Sequence, residues 1–572
     1  MAQAVAGSVV YPEAQPRARV RTISEETVAR LLILLLIAVL LGIIALPLAS
    51  LLSKSVEDGN GTFVGLRNFV TYFTTPTLLA SLFNSVFVAA LATAIVVPVA
   101  FTYAYALTRS RMRLKGMFYA AALLPVFAPS LLAAIALTYI FGNQGLLRGA
   151  LFGNSIYGPI GIVIAEVLYA LPHALVINVT ALAMADGRLY EAAEALGTRP
   201  ARVFRTVTLP GARYGLISSA FVVFTLVVTD FGIPKVIGGQ FNVLATDAYK
   251  QVVGQQNFPM GAVVGIVLLV PAILAFVVER MVERRQVALL SARAVPLQPK
   301  PRPLADGVLT LFCIVVAGTV IGTYGVAVWA SFISYWPYNL SLTLGNYDFE
   351  RFEPSGWEPY WTSLKMAALT AVFGTAAIFL GAYLVQKTKV FPAGRFFAQF
   401  LAMLPMAVPG LVIGLGYVFF FNAPWNPLNW LYGTLAILVI NSIAHFYTVA
   451  HMTAATALKS IDGEFEAVSA SLKVPFWVTF ARVTVPISMP AILDIAVYMF
   501  VNAMTTVSAV IFLYGAGTKL ASVAIVHMDE AGTTSAAAAM ATAIVLTAIA
   551  AKLFQLALSR FVFARLQRWR VR

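Results

Sequence analysis

The chain has 572 residues, of which 60% are hydrophobic and 11% charged; with a mean hydropathy of +0.85, it falls outside the range of soluble globular proteins and reads as a membrane protein. Its one cysteine, Cys313, lies inside an apolar run, which leaves no intrachain disulfide and no cysteine-based metal site. The formal net charge of +15 would suit a nucleic-acid partner, but the positions of the cations along the chain argue otherwise.

Residues 1–28 are polar, carry Arg17, Arg19 and Arg21, and read as a tail without the early apolar core of a cleavable signal. A first membrane domain is expected over 29–278, with spans near 31–52, 82–108, 117–142, 157–180, 211–231 and 260–278, each long enough to cross a bilayer as a helix. Residues 279–306, ERMVERRQVALLSARAVPLQPKPRPLAD, are rich in Arg and end in prolines; they read as a cytoplasmic linker fusing two former subunits. A second domain over 307–556 repeats the pattern near 307–333, 363–385, 397–421, 430–450, 487–512 and 536–556, before a basic tail at 557–572. Twelve spans place both termini on one face. Segments on that face hold most of the 39 Lys and Arg, whereas the opposite loops hold only Lys54, Arg67, Arg148, Lys235, Lys250, Arg351, Lys365 and Lys519. Because basic residues stay inside, both termini are expected to be cytoplasmic. The positive balance is thus a topology signal, and no nucleic-acid partner is expected.

The two halves are copies. Sliding the chain by 276 residues superposes Thr180, Ala181, Leu182, Asp186 and Gly187 on Thr456, Ala457, Leu458, Asp462 and Gly463, and Leu196, Phe204, Val207, Thr208 and Pro210 on Leu472, Phe480, Val483, Thr484 and Pro486. In both copies the Asp is placed to cap a short helix, since its carboxylate can accept free N–H groups there. That helix presents Leu189, Ala192 and Leu196, or Phe465, Val468 and Leu472, on one face. Pro200 and Pro475 interrupt the run, so a second short helix is expected to follow, ending at Pro210 or Pro486.

The stretch YEAAEALGTRPARVFRTVTLP at Tyr190–Pro210 resembles the EAA loop of binding-protein-dependent ABC importer permeases, with Glu191, Ala192, Ala193, Gly197, Val207, Leu209 and Pro210 at the family's spacings. The loop at 462–486 is a degenerate copy: Ala467 holds the Glu position, Glu466 comes one residue early, Lys473 replaces the Gly and Val485 the Leu. In that family the loop docks into a cleft of the ATPase. The resemblance therefore implies ATPase coupling through Glu191, Ala192, Ala193, Gly197, Leu209 and Pro210 at 186–210, and through Glu466, Leu472 and Pro486 at 462–486. It also implies an all-α polytopic membrane protein of about 12 transmembrane helices in two homologous six-helix halves, the type I ABC importer permease fold, in the bacterial inner membrane. Two copies of an ABC ATPase subunit at the cytoplasmic face and a periplasmic solute-binding protein are the implied partners. The plain alternative, an ordinary cytoplasmic loop helix, is disfavoured by the repetition in register.

Within the membrane, Leu124, Pro125 and Pro129 (LPVFAP) recur as Leu404, Pro405 and Pro409 (LPMAVP). Paired prolines are expected to kink both third spans, either as a packing feature or because they border a translocation path. Glu166 and His173 lie seven apart in the fourth span, on one helix face. They could bind solute, pair with each other, or bond across a helix interface. His445 and His451 pose the same choice, and Asp494 is expected at the interface near the second repeated loop.

After the fifth span, Thr229 to Phe258 is polar, with Asp230, Lys235 and Lys250 among its charges and glycines at 232, 238 and 239. It reads as a folded scoop at the outer mouth that could meet an extracytoplasmic partner. Its DFGIPKVIGG, FNVLATDAY and GQQNF are similar to fused permeases of the ferric-iron and 2-aminoethylphosphonate importer group, with Lys235 and GQQNF leaning toward the aminoethylphosphonate members. Lys235, Lys250 and the amides could guide a phosphonate. Ferric iron would want carboxylate, phenol or imidazole donors, and the four histidines form no cluster in sequence. No Walker-type phosphate loop, nucleophile elbow or zinc helix occurs, so the chain is not expected to be an enzyme or to carry a cofactor, and ATP hydrolysis is assigned to another chain. The rival reading is a twelve-span secondary transporter built from parallel repeats, which explains the topology but not the repeated loops.

Overall fold

The computed structural model describes residues 25–289, 295 and 297–566; most of the expected N-terminal tail, part of the linker and the end of the basic tail lie outside the described residues. Among the described residues nine helices are long and apolar enough to cross a membrane: Glu25–Ser55, Pro76–Arg109, Pro159–Ala183, Pro200–Thr229, Phe258–Val278, Pro303–Ser331, Glu358–Lys387, Leu435–Lys459 and Thr534–Phe561. Two more are bent pairs, Pro392–Ala407 with Gly410–Phe421 at 114° and Phe476–Ile487 with Met489–Thr505 at 78°. Lys115–Ala122 and Ser130–Phe141 supply the remaining segment. Each of the twelve apolar runs is thus helical. The helix from Phe258 continues to Leu289, and the next starts at Pro303, so little of the stretch expected as linker joins them. A short antiparallel hairpin, Ile333–Tyr335 with Asn339–Leu342, departs from the all-α expectation.

The paired prolines do more than kink. Ala128 and Val408, each preceding a proline, are forced into extended backbone (φ −111°, ψ 144° and φ −113°, ψ 119°), because a proline ring crowds the helical conformation of the residue before it. Both third spans are therefore broken near their middle.

Packing interlocks the halves. The first span, from Glu25, lies against Pro392–Met403 and Gly410–Phe421 of the second half, while the seventh, from Pro303, lies against Lys115–Ala122 and Ser130–Phe141 of the first. Each half lends its leading helix to the other half's broken span. The fit depends on small residues, as between membrane helices generally: a Cβ on Gly416 would stand 2.8 Å from the Pro47 carbonyl oxygen, and beside it Tyr417 donates its hydroxyl to the Ile43 carbonyl at 2.7 Å. The duplication extends to single bonds. The backbone N–H of Leu244 donates to Ser85 Oγ at 2.8 Å, and that of Ala521 to Ser363 Oγ at 2.8 Å.

Because Gly416 sits where the two halves meet backbone to backbone, Gly416→Val should cost roughly 1–3 kcal/mol. Membrane abundance and thermal stability in detergent check this; unchanged values would show that the first span is not held there.

Candidate functional site

The repeated loops protrude on one face of the helix bundle. The first is a helix, Gly187–Ala195, capped by Asp186, whose Oδ1 accepts from the Arg188 backbone N–H at 3.1 Å. The Arg188 guanidinium holds the same carboxyl down at about 2. The second, Glu464–Ser471, begins one residue later with Gly463 at its N-cap, and Asp462 Oδ1 still accepts from the Glu464 N–H at 3.0 Å. Each ends in a left-handed residue, Gly197 at φ +64° and Lys473 at φ +54°. Glycine meets that conformation without strain and lysine does not, so the Lys473 replacement keeps the turn at a cost. Short second helices follow at Pro200–Val203 and Phe476–Thr479, each leading into a π-bulge, Phe204–Thr208 and Phe480–Thr484.

These bulges set the anchors. The Phe204 ring lies 6.3 Å from Phe101 and 5.8 Å from Tyr105; Phe480 lies 6.0 Å from Phe379 and 4.7 Å from Tyr383. One aromatic from each loop is gripped by two from the second span of the same half. A basic residue at the end of that span adds a second grip. Arg109 donates to the Leu182 carbonyl and its guanidinium sits 4.9 Å from the Tyr190 ring; Lys387 donates to the Ile461 carbonyl and pairs with Glu466 at 2.9 Å. Tyr190 and Glu466 are equivalent in the repeat. Glu466 therefore faces inward on Lys387 and does not take the outward place that Glu191 holds.

What remains outside is apolar. Leu196 is 82% exposed and Leu472 69%, and Leu189, Ala192, Phe465 and Val468 are exposed with them. Glu191, Leu209 and Pro210 are exposed as well, Ala193 is buried and Pro486 half-buried. Beside the second loop, a groove of about 660 Å³ runs past Phe465, Val468, Leu472, Val478 and Arg482. The first loop carries a strap from the linker: Gly187 N–H donates to the Val295 carbonyl at 2.8 Å, and Lys300 pairs with Glu194 at 2.6 Å.

On the opposite face the loop after the fifth span folds inward. It forms helices Gly232–Ile237 and Leu244–Tyr249, and Asp247 and Gln251 are buried. Lys235 pairs across the halves with Glu530 and stands 4.6 Å from the Tyr249 ring centroid. Lys250 donates to Asn242 Oδ1. Lys235 is thus paired within the fold, whereas Lys250 is exposed and its partner is a neutral amide. Tyr139 and Ser535 also bond between the halves at 2.9 Å.

Between the two faces, Glu166 is fully buried and neither of its carboxyl oxygens has a hydrogen-bond partner; His173 Nδ1 has none either. They do not pair with each other. His451 bonds Gln399 at 3.0 Å and stacks on Tyr447, a structural role, whereas His445 Nδ1 is unpartnered beside Phe446. Asp494 accepts from Gln555 of the last span at 2.7 Å.

Residues 96–287 and 377–564 each match the family described as "Binding-protein-dependent transport system inner membrane component". The chain belongs to that family. A relative named "Ferric transport system permease protein FbpB", of Actinobacillus pleuropneumoniae, is 29% identical over 80% of this chain and 68% of its own length. "Putative ferric transport system permease protein FbpB 1", of Haemophilus influenzae, is 29% identical over 74% of the chain and 69% of its own. "Putative 2-aminoethylphosphonate transport system permease protein PhnU", of Salmonella choleraesuis, is 24% identical over 49% of the chain and 98% of its own. Membership in this permease family sets aside the secondary-transporter alternative.

If the Lys235–Glu530 pair holds that face of the permease shut, Glu530→Lys should speed thiol labelling of a cysteine at Thr534, in a Cys313→Ser background, by roughly fivefold, the effect of about 1 kcal/mol. Adding Lys235→Glu should restore the slow rate. Equal rates in all three proteins would remove the latch.

Proposed function

We propose that this permease is the membrane-spanning subunit of an ATP-driven importer. Two copies of an ATPase subunit engage the loops at 186–210 and 462–486, and a periplasmic binding protein delivers solute to the opposite face. The carrying observation is the pair of exposed apolar edges, Leu189–Ala192–Leu196 and Phe465–Val468–Leu472, placed at equivalent positions of the repeat. Apolar side chains left exposed in a patch mark a surface for a partner, and two related copies call for two copies of one partner. The loops share a face with most Lys and Arg, which makes that face and both termini cytoplasmic. ATP-driven closure of the two subunits would pull on the loops through Phe204 and Phe480 and turn the halves from inward-facing to outward-facing.

For the solute we favour ferric iron over 2-aminoethylphosphonate. Support comes from the relatives named for ferric transport, which align along about four-fifths and three-quarters of the chain where the aminoethylphosphonate relative aligns along half. Of the two lysines that a phosphonate route would use, Lys235 is paired with Glu530, while Lys250 is exposed beside the Asn242 amide. The loop resemblance to the aminoethylphosphonate permeases is what keeps that solute as the second reading.

Two measurements test this reading. In proteoliposomes holding the permease, its copurifying ATPase and the cognate binding protein, uptake of labelled iron should require all three and ATP, and should resist 2-aminoethylphosphonate. Uptake of the phosphonate instead would discard the iron assignment and keep the importer. Separately, Leu196→Asp, Glu191→Ala and Gly197→Asp should each cut uptake by about tenfold or more at unchanged membrane abundance, since buried anchors at such interfaces are worth around 2 kcal/mol. Normal transport by all three would remove the coupling role of the first loop.

A further inference from the structure

One segment fastens the first repeated loop and, among the described residues, has no counterpart on the second. Gly187 and Glu194 are seven residues apart, so they share one face of the helix Gly187–Ala195, opposite the exposed edge of Leu189, Ala192 and Leu196. The linker strap runs along that face and is held at both ends. At one end the Gly187 N–H donates to the Val295 carbonyl at 2.8 Å, and the Val295 N–H to Asp186 Oδ1 at 3.4 Å. At the other, Lys300 pairs with Glu194 at 2.6 Å. The fit requires glycine: a Cβ on Gly187 would stand 3.1 Å from the Val295 oxygen and 3.2 Å from Leu297 Cα. On the second loop a Cβ on the equivalent Gly463 would meet no described residue within 4 Å, and Ala470 stands in the place of Glu194.

Beyond Lys300 the strap is short and stiff. Pro299, Pro301 and Pro303 recur at every second residue; each ring fixes its own φ and biases the residue before it toward extended backbone. Pro303 begins the seventh span. Asp306, in the first turn of that span, accepts from the Arg302 N–H at 3.1 Å and from the Arg111 N–H, just beyond the second span, at 3.2 Å. A stretch of chain with little freedom to lengthen thus joins the first loop to the head of the second half's leading helix. The second loop has an ionic tie of another kind, since Lys387 holds Glu466 from within the same half.

We propose that the strap is a tie by which the first loop, when its ATPase moves it, also moves the seventh span, with Gly187, Glu194 and Lys300 as positioning residues. It rests on the ATP-driven reading of the loops given above. A helix of nine residues is marginal by itself, so the points at which it is fastened decide what moves with it. Because the strap lies on the face away from Leu189, Ala192 and Leu196, it leaves the edge for the ATPase bare and can stay in place through the whole cycle. Fusion of the two halves then does more than keep them together: one ATPase acts on both.

The test uses the full chain with its ATPase and binding protein in proteoliposomes, reading ATP hydrolysed and labelled solute imported, iron or, if wild type carries that instead, 2-aminoethylphosphonate. Lys300→Glu sets two acids face to face, and solute imported per ATP should fall about threefold, with membrane abundance and copurified ATPase unchanged. Gly187→Val, which pushes a side chain into the strap, should lower the ratio at least as far. Adding Glu194→Lys to Lys300→Glu should restore it, which a general loss of structure would not allow. Leu297 lies close enough to Gly187 for a disulfide, so Gly187→Cys with Leu297→Cys, in a Cys313→Ser background, can lock strap to loop. The oxidised protein should import as well as the same protein reduced. Wild-type ratios in both Lys300→Glu and Gly187→Val would overturn the tie, and so would import lost on oxidation and regained on reduction, since the strap would then have to leave. Leu196→Asp, run alongside, separates the two readings. If it too transports normally, the coupling role of the loop has failed and the tie with it; if it alone loses transport, only the tie has failed.

Discussion

Each exposed loop is tied to the membrane body by one phenylalanine held between two aromatics of the second span of its own half. Phe204 sits against Phe101 and Tyr105, and Phe480 against Phe379 and Tyr383. A loop whose outer edge meets a partner transmits force only if its inner edge cannot slip. The π-bulge at Phe204–Thr208 and at Phe480–Thr484 supplies that inner edge, because the extra residue in the turn carries the ring inward while the chain goes on into the next span. Arg109 and Lys387 hold the same place with a charge, one over a ring and the other on a carboxylate. Each loop and its second span are therefore one mechanical piece.

That piece works against an interlocked frame. With the first span on the second half and the seventh on the first, a turn of one half carries a helix of the other with it. The halves also meet at the face away from the loops. There the Lys235–Glu530 pair and the Tyr139–Ser535 bond hold the two halves together. The halves differ, by contrast, at some equivalent positions: Glu166 and Asp230 of the first correspond to Ser442 and Thr506 of the second. Fusion into one chain allows this, because each half can change without its copy.

Most of the architecture was legible in the sequence because it rests on hydrophobic run length and on the repeat, both of which are local. The twelve runs, the capping by Asp186 and Asp462 and the apolar edges at Leu196 and Leu472 all follow from patterns within a few residues. What was not legible depends on partners distant in sequence. Nothing near Lys235 says that Glu530 will neutralise it, and nothing in the first apolar run says that it will pack on the other half. The pairing of Glu466 with Lys387 joins residues far apart in the chain, and Lys387, occupying in the second half the place of Arg109, is the sequence signal for it. The proline breaks were underestimated: the restriction on the residue before each proline acts on top of the lost hydrogen bond.

The proposed coupling requires the two equivalent loops to meet two copies of one ATPase. A photoreactive benzoylphenylalanine placed at Leu196, and separately at Leu472, in the full complex in native membranes tests this most directly. Both positions are expected to cross-link to the same ATPase polypeptide. Cross-linking of neither, or of the two to different proteins, would contradict the account.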